Sequence, residues 1–378
     1  MIEVLMADIQ DVPLSGRCDK DFDGLRRVFE GSIATGENLG GSVAVLIDGE
    51  PVVDLRGGWR DRKKSAEWEE DTIACVYSSG KAVLSALVMR EVSEGRLDYD
   101  RPVAEIWPAF GERGKERVTL AQALSHQAGV PGFAEEKDPA IWLDWEATCA
   151  AIASEEPMWE PGTASGYHPQ TFGYIAGEVL RRSSGKTYGD HLRDLGLNVH
   201  CGLSADQVAR TAQMVKPPKA PDLGEITPPK KAAFLAPWSA PSGVAREAWA
   251  AAEIPASNTH ANARGLAEVM QAYATGEISG KAFAGTSARE AAWEERIHGD
   301  DLVLPYRISW GAGVMRETLG AFGGAPTAIG HYGFGGSCVM ADPARELSFA
   351  FVPATMSPVL VGDPRAKALL AELYRAVD

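Results

Sequence analysis

The stretch Tyr77-Ser78-Ser79-Gly80-Lys81-Ala82 places a serine three residues before a lysine, immediately ahead of an apolar segment. From Lys81 to Gly95 the chain is almost entirely apolar between Ala82 and Met89 and then ends in glycine, which predicts a helix buried on most sides. Ser78 would begin that helix. A serine in this position can cap the helix with its hydroxyl, or it can be a nucleophile.

The chemical alternative depends on the spacing of Ser78 and Lys81. Residues three apart lie on one face of a helix, so the lysine amine can reach the serine oxygen. Burial among apolar side chains disfavours the charged lysine and lowers its pKa, and a neutral amine can take a proton from a hydroxyl. The helix N-terminus adds backbone N–H groups near a developing oxyanion. The spacing is therefore that of a serine nucleophile activated by lysine.

The tetrapeptide SSGK occurs a second time, at Ser183-Ser184-Gly185-Lys186. This copy follows a predicted helix over residues 171–182, and Gly185 takes the position of a helix C-cap. The following Thr187 completes the ending of a P-loop, but Leu180 occupies the position of the required first glycine. We therefore predict a helix terminus here and neither a nucleophile nor an ATP site.

Composition restricts the class of protein. The 378 residues are 45% hydrophobic, which is enough for a substantial core in one large or two ordinary domains. The formal net charge of -15 disfavours nucleic acids and anionic membranes as partners, because both are bound mainly through clustered lysine and arginine. The same charge disfavours acidic substrates.

The cysteines and the first residues of the sequence indicate the cellular compartment of the protein. The five cysteines are scattered and form no C-x-x-C pair, which indicates neither a disulfide framework nor a zinc cluster. Residues 1–8 lack the pattern of a signal peptide, and no apolar run reaches membrane-spanning length. H-E-x-x-H is absent, and the histidines do not pair at metal-ligand spacing. We expect a soluble cytoplasmic protein without a metal or cofactor.

Apolar periodicity predicts the order of the elements. A helix over 22–36 precedes a hairpin over 41–53, helical segments follow at 120–124, 139–153 and 171–182, strands follow at 310–314, 337–341 and 347–352, and a helix over 364–377 ends the chain. Strands at both ends with helices between them predict an α+β fold, with one antiparallel sheet and an inserted, mostly helical region. We assign residues 1–85 and 290–378 to a discontinuous sheet domain and 86–289 to a helical domain.

Residues 216–242 contain repeated prolines and few periodic apolar positions, which predicts a long loop. Loops of this length in compact proteins are usually functional lids or mobile linkers. The segment is therefore either a wall of the substrate site or a linker.

Two further motifs follow in chain order. Tyr167 lies in the segment 160–169, EPGTASGYHP, and residues 331–337 are HYGFGGS. Together with Ser78 and Lys81 these motifs resemble the serine β-lactamase and penicillin-binding family, for which S-x-x-K is a known motif. The resemblance extends over nearly the whole chain. It is strongest to the class C branch and to its esterase relatives, the family VIII carboxylesterases.

The resemblance implies a β-lactamase/transpeptidase-like fold and a covalent acyl-enzyme. It makes Ser78 the nucleophile, Lys81 its activating partner and Tyr167 the second base, which relays the proton to the leaving group. It also implies an oxyanion hole formed by the backbone N–H groups of Ser78 and Phe334. His126 is expected to be structural.

Four further residues are candidates for contact with substrate: His331, Gly333, His168 and Trp310. Two departures from the lactamase pattern affect the choice of substrate. Their Y-x-N is here Tyr167-His168-Pro169, and proline has no side-chain amide. Their K-T-G lysine is replaced by His331, which is mostly neutral at pH 7, so the fixed cation for a β-lactam carboxylate is missing. Both departures favour an uncharged ester.

The sequence therefore predicts a serine hydrolase that cleaves small carboxylic esters, with short-chain or bulky aryl esters expected. Three alternatives remain open. A β-lactamase or D-amino-acid peptidase would use the same residues. An acyltransferase would pass the acyl group to an alcohol, and a non-catalytic acyl-binding or sensor module would acylate without turnover. The sequence makes no prediction of oligomeric state.

Overall fold

The computed structural model describes residues 12–378. Residues 1–11, where we predicted the absence of a signal peptide, lie outside the described residues. In the described range the strands are β1 (Leu14–Cys18), β2 (Gly40–Ile47), β3 (Glu50–Gly58), β4 (Ala74–Cys75), β5 (Val199–His200), β6 (His260–Ala261), β7 (Glu277–Ile278), β8 (Lys281–Ala282), β9 (Ile297–Asp300), β10 (Arg307–Trp310), β11 (Met315–Arg316), β12 (Ile329–Tyr332), β13 (Cys338–Asp342) and β14 (Leu347–Pro353). The helices are α1 (Asp23–Ala34), α2 (Ser79–Ser93), α3 (Leu120–Leu124), α4 (Trp145–Ser154), α5 (Thr171–Ser184), α6 (Tyr188–Leu195), α7 (Ala205–Ala209), α8 (Pro228–Lys230), α9 (Arg246–Ala251), α10 (Ala263–Ala274), α11 (Thr286–Trp293) and α12 (Pro364–Val377).

The main sheet joins the two ends of the chain. Within residues 12–378 it has nine strands in the order β1-β3-β2-β14-β13-β12-β11-β10-β9, and every neighbouring pair is antiparallel. The join lies between β14 and β2, where Phe349 pairs with Val45. The predicted α+β fold, with one sheet completed from both ends, is confirmed. The division into two domains at residues 85 and 290 stays a prediction.

Both faces of the central strands are apolar because helices cover both sides of the sheet. Side chains alternate between the faces of a strand. Ala44 and Leu46 of β2 belong to a core shared with α2, α5 and α10, whereas Val43 and Val45 belong to a second core shared with α1 and α12. Helix α2 lies in the first core, where it packs against α5, α10, α11 and strand β12. This packing explains why nearly every position of α2 is buried.

Two predicted elements differ from the structure. The predicted strand over 310–314 ends at Trp310, and the chain turns before β11 because Gly313 has a φ of +87° and passes against α2. A Cβ on Gly313 would lie 1.8 Å from the Ser85 Oγ. The predicted helix over 139–153 is interrupted at Asp144, whose backbone is extended and whose carboxylate accepts the N–H of Ala147 to cap α4.

The second SSGK copy lies at the end of α5. The helix ends at Ser184, and Gly185 adopts the left-handed conformation with a φ of +75°. The Ser183 Oγ donates to the carbonyl of Leu180, 3.0 Å away. The predicted helix terminus is confirmed.

The proline-rich segment 216–242 contains the short helix α8, which continues into a π-helical turn at Lys231–Leu235. The segment lies against a cavity that is also lined by Ser78. Among residues 12–378, no helix combines the length and apolar character needed to cross a membrane.

Candidate active site

A strained turn presents Ser78 at the start of α2. Tyr77, directly before it, has a φ of +46°, an uncommon conformation for a residue other than glycine. Ser78 occupies the N-cap position, but its side chain makes no capping hydrogen bond. Its Oγ lies 2.9 Å from the Lys81 Nζ and 3.4 Å from the Ala256 carbonyl oxygen. The hydroxyl therefore points to the lysine and does not cap the helix.

Lys81 is completely buried and is held by backbone carbonyl groups. Its Nζ donates to the carbonyl oxygens of Pro169 at 2.8 Å and Ala256 at 3.3 Å. Within residues 12–378 no carboxylate forms an ion pair with it. Burial lowers the pKa of Lys81 well below its usual value, because desolvation disfavours the ammonium form. An uncharged amine at this distance from a hydroxyl can accept its proton.

Tyr167 completes a group of three side chains. Its ring centroid lies 4.8 Å from the Lys81 Nζ. Burial raises the pKa of Tyr167 above its usual value, although the interaction of its hydroxyl with Ser78 acts in the opposite direction. The backbone N–H of Tyr167 donates to the buried Asp301 Oδ1 at 2.9 Å. The structure thus brings Ser78, Lys81 and Tyr167 together.

A buried aromatic cluster supports the Tyr167 ring from behind. Trp310 stacks on that ring with an interplanar angle of 14°, and the ring of His126 lies 4.7 Å from it. The His331 ring is 6.0 Å from Tyr167. The backbone N–H of His168 donates to the His126 Nδ1 at 3.1 Å. His126 is therefore part of the support for Tyr167.

The imidazoles of this cluster are neutral. Burial lowers the pKa of His331 and of His168 to about 3, with Lys81 contributing in the same direction. The backbone N–H of Val130 donates to the His168 Nε2 at 3.1 Å. Among the described residues, no group of three or more histidine, cysteine, aspartate or glutamate side chains could hold a metal ion.

The two backbone N–H groups predicted to form the oxyanion hole have no protein partner in the part of the chain that the structure describes. Among residues 12–378, neither the N–H of Ser78 nor that of Phe334 donates to a protein acceptor. Phe334 lies in the turn after β12, and its ring packs edge-on against Tyr77 at 5.7 Å. Free N–H groups from two segments can stabilise negative charge on a substrate oxygen.

The turn 333–337 is attached to the segment before Ser78. The Ser337 Oγ donates to the Val76 carbonyl oxygen at 2.8 Å and lies 2.9 Å from the Ser79 Oγ. Gly333 lies directly against the same carbonyl, since a Cβ there would be 2.1 Å from the Val76 oxygen. These contacts hold the turn that contains Phe334 against the segment that contains Ser78.

A cavity of about 620 Å³ opens at Ser78. The proline-rich segment contributes much of its wall. The lining residues are Tyr77, Ser78, Pro169, Gln170, Lys216, Ala220, Pro221, Leu223, Ala233, Phe234, Leu235, Ser239, Ala240, Pro241, Trp249, Ala256, Ser257, Phe334 and Leu360. Of the two alternatives for segment 216–242, the structure favours a wall of the site.

The four predicted substrate contacts are not part of this lining. His331, His168 and Trp310 are buried behind Tyr167, and Gly333 packs against Val76. Their contact with substrate stays a prediction. Sequence reasoning also missed the carbonyl groups of Pro169 and Ala256, which hold Lys81, because a backbone carbonyl has no sequence signature.

The sequence model of the family described as Beta-lactamase matches residues 25–372. The chain belongs to this family of serine hydrolases. Esterase/beta-lactamase LipL of Mycobacterium tuberculosis (strain ATCC 25618 / H37Rv) is 30% identical over 375 residues, which cover 92% of this chain and 85% of LipL.

Solved structures of high similarity support the same assignment. A structure described as a novel penicillin-binding protein homolog from Caulobacter crescentus has a TM-score of 0.93 and 46% identity, and the match covers 96% of this chain and 99% of the homolog. A family VIII carboxylesterase has a TM-score of 0.90 and 34% identity, with the same two coverages. The resemblance inferred from the sequence motifs is confirmed at the level of family and fold.

Proposed function

We propose that this protein is a carboxylesterase that cleaves small esters through an acyl-enzyme on Ser78. The observation on which the proposal depends is the buried Lys81 amine, 2.9 Å from the Ser78 Oγ and without a carboxylate partner among residues 12–378. A charged ammonium would donate to Ser78 and to both carbonyl groups. After loss of a proton, the amine can keep its two carbonyl bonds and direct its lone pair at Ser78.

In the acylation step the Ser78 Oγ attacks the ester carbonyl carbon and forms a new C–O bond. Lys81 takes the hydroxyl proton, and the carbonyl oxygen becomes an oxyanion that accepts hydrogen bonds from the N–H groups of Ser78 and Phe334. Tyr167, which is in contact with both Ser78 and Lys81, relays the proton to the alkoxide. The alcohol leaves, and the acyl group stays on Ser78.

Deacylation uses the same groups in the reverse order. A water molecule loses a proton to the Lys81 and Tyr167 pair as its oxygen attacks the acyl carbon. The bond from that carbon to the Ser78 Oγ breaks, Ser78 regains a proton, and the carboxylic acid is released. Because Lys81 and Tyr167 are coupled, the pair rather than either residue sets the observed pH dependence.

The cavity supports a small, largely apolar substrate. Its volume of about 620 Å³ is in the range typical of small-molecule sites. Aromatic and aliphatic side chains such as Phe234, Phe334 and Leu360 line it. One relative is described as an esterase/beta-lactamase and a solved structure as a family VIII carboxylesterase, which supports ester cleavage as the proposed reaction.

The test compares p-nitrophenyl butanoate with the chromogenic β-lactam nitrocefin. We expect the wild type to have a much higher kcat/KM for the ester, and Ser78→Ala to abolish ester cleavage. Ser183→Ala is the matched control, because it alters the second SSGK copy at the end of α5. Wild-type turnover by Ser78→Ala would refute the proposal.

A second candidate function is β-lactam acylation, and Lys216 favours it. Lys216 is the charged side chain of the cavity lining, it is exposed, and it forms no ion pair with another described residue. Its backbone is anchored through Val215, whose N–H donates to the Ala354 carbonyl at 2.9 Å. A cation at the cavity mouth could bind the carboxylate of a β-lactam. If this function is correct, Lys216→Ala raises the KM for nitrocefin and leaves that for the neutral ester unchanged.

A further inference from the structure

Two polar side chains in the cavity wall have no protein partner. The Gln170 Oε1 and the Ser257 Oγ are buried without a hydrogen bond, and both residues line the cavity. No hydrogen bond joins any atom of the Gln170 carboxamide to another residue of the range 12–378. Buried polar groups in native proteins normally have a partner, so an unpartnered pair in a ligand cavity calls for a functional explanation.

These two residues are chain neighbours of the groups that hold Lys81. Gln170 directly follows Pro169, and Ser257 directly follows Ala256. The carbonyl groups of Pro169 and Ala256 are the two that accept hydrogen bonds from Lys81. Because consecutive Cα atoms are about 3.8 Å apart, the backbones of Gln170 and Ser257 lie next to the two groups that hold Lys81. Both residues line the cavity that also contains Ser78.

The rest of the wall is mainly apolar, which limits what these side chains can recognise. A carboxamide and a hydroxyl both donate and accept hydrogen bonds, and neither is charged. They therefore suit a neutral polar group on the substrate. An alkyl ester would leave both side chains without a partner in the cavity.

We propose that Gln170 and Ser257 bind a hydroxyl or amide substituent of the substrate, so that the site selects polar-substituted esters over plain alkyl esters. This inference rests on the proposed esterase function and adds its substrate class. A site built to hydrogen-bond a substrate group discriminates strongly against the analogue that lacks it, because its own polar groups then stay unpaired.

The experiment measures kcat/KM for three butanoate esters. Ethyl butanoate is the apolar reference, ethyl β-hydroxybutanoate has a hydroxyl in the acyl half, and monobutanoylglycerol has hydroxyls in the alcohol half. We expect the wild type to prefer at least one hydroxylated ester. Gln170→Met, which removes the carboxamide but keeps the length, should lower that preference about tenfold, equivalent to about 1.4 kcal/mol.

Gln213→Met is the matched control. The Gln213 Oε1 accepts the N–H of Arg62 at 3.1 Å, and Gln213 is not in the cavity lining, so this variant should keep the wild-type preference. If Gln170→Met does not fold, Ser257→Ala provides the same comparison. If the wild type and the variant have the same relative kcat/KM values for the three esters, the inference is overturned. Hydrolysis of ethyl butanoate that requires Ser78 would show that the esterase proposal survives such a result.

Discussion

Gly333→Ala tests whether the turn 333–337 positions the oxyanion hole. A Cβ at residue 333 would lie 2.1 Å from the Val76 carbonyl oxygen, which is 1.3 Å short of an ordinary contact of 3.4 Å. The obstructing atom is backbone, so either the turn or the segment before Ser78 must move. In the proposed mechanism each of these segments supplies one N–H group of the oxyanion hole, from Phe334 and from Ser78. Their separation should therefore change by about 1 Å, a misplacement that can cost about 100-fold in rate.

The assay is steady-state hydrolysis of p-nitrophenyl butanoate together with thermal unfolding. Oxyanion donors act mainly on the transition state, so we expect kcat to fall about 100-fold while KM changes little. The same overpacking should reduce the free energy of unfolding by about 1–3 kcal/mol. Activity must therefore be measured well below the melting temperature of the variant.

Gly299→Ala is the control for replacing a glycine by alanine without a steric clash. Gly299 lies in β9, and no atom lies within 4 Å of the position of its Cβ. This variant should keep wild-type kinetics. If folded Gly333→Ala keeps a kcat within about threefold of the wild type, the reasoning about the oxyanion position is wrong.

Three further predictions concern the proton-transfer groups. Activity should fall as the pH decreases through the lowered pKa of Lys81, since protonation removes the base; a kcat/KM that rises on acidification would contradict this. This loss of activity at low pH should persist in His331→Gln, because burial lowers the pKa of His331 to about 3 and keeps it neutral. If the loss disappeared in that variant, it would be assigned to the histidine. Tyr167→Phe should lower kcat by about 100-fold or more, the usual contribution of general acid–base catalysis, with its melting temperature as the control for folding; wild-type kcat would exclude Tyr167 from proton relay.

Much of the fold could be predicted because its signals are local. The apolar segment after Lys81 predicted α2, and the periodicity of residues 364–377 predicted α12 with the bounds that the structure has. One failure was local, because the Asp144 carboxylate caps α4 and interrupts the helix predicted over 139–153. The other was tertiary. The strand predicted over 310–314 ends early because Gly313 packs against Ser85, a residue distant in the chain.

The candidate site was predictable only in its motifs. Ser78, Lys81 and Tyr167 were found from residue type, spacing and order. The contact of Gly333 with substrate stays a prediction, and its close approach to the Val76 carbonyl was not foreseen. The carbonyl groups that hold Lys81 belong to residues 169 and 256, which no local pattern associates with it. Contacts made by backbone atoms across long separations depend on the completed fold.

The central claim is that the ester acylates Ser78. Intact-protein mass spectrometry during turnover of p-nitrophenyl butanoate, followed by peptide mapping, tests it most directly. We predict a transient butanoyl adduct on the peptide that contains Ser78, and no adduct in Ser78→Ala. An adduct on another residue, or ester turnover in Ser78→Ala at the wild-type rate, would contradict the account.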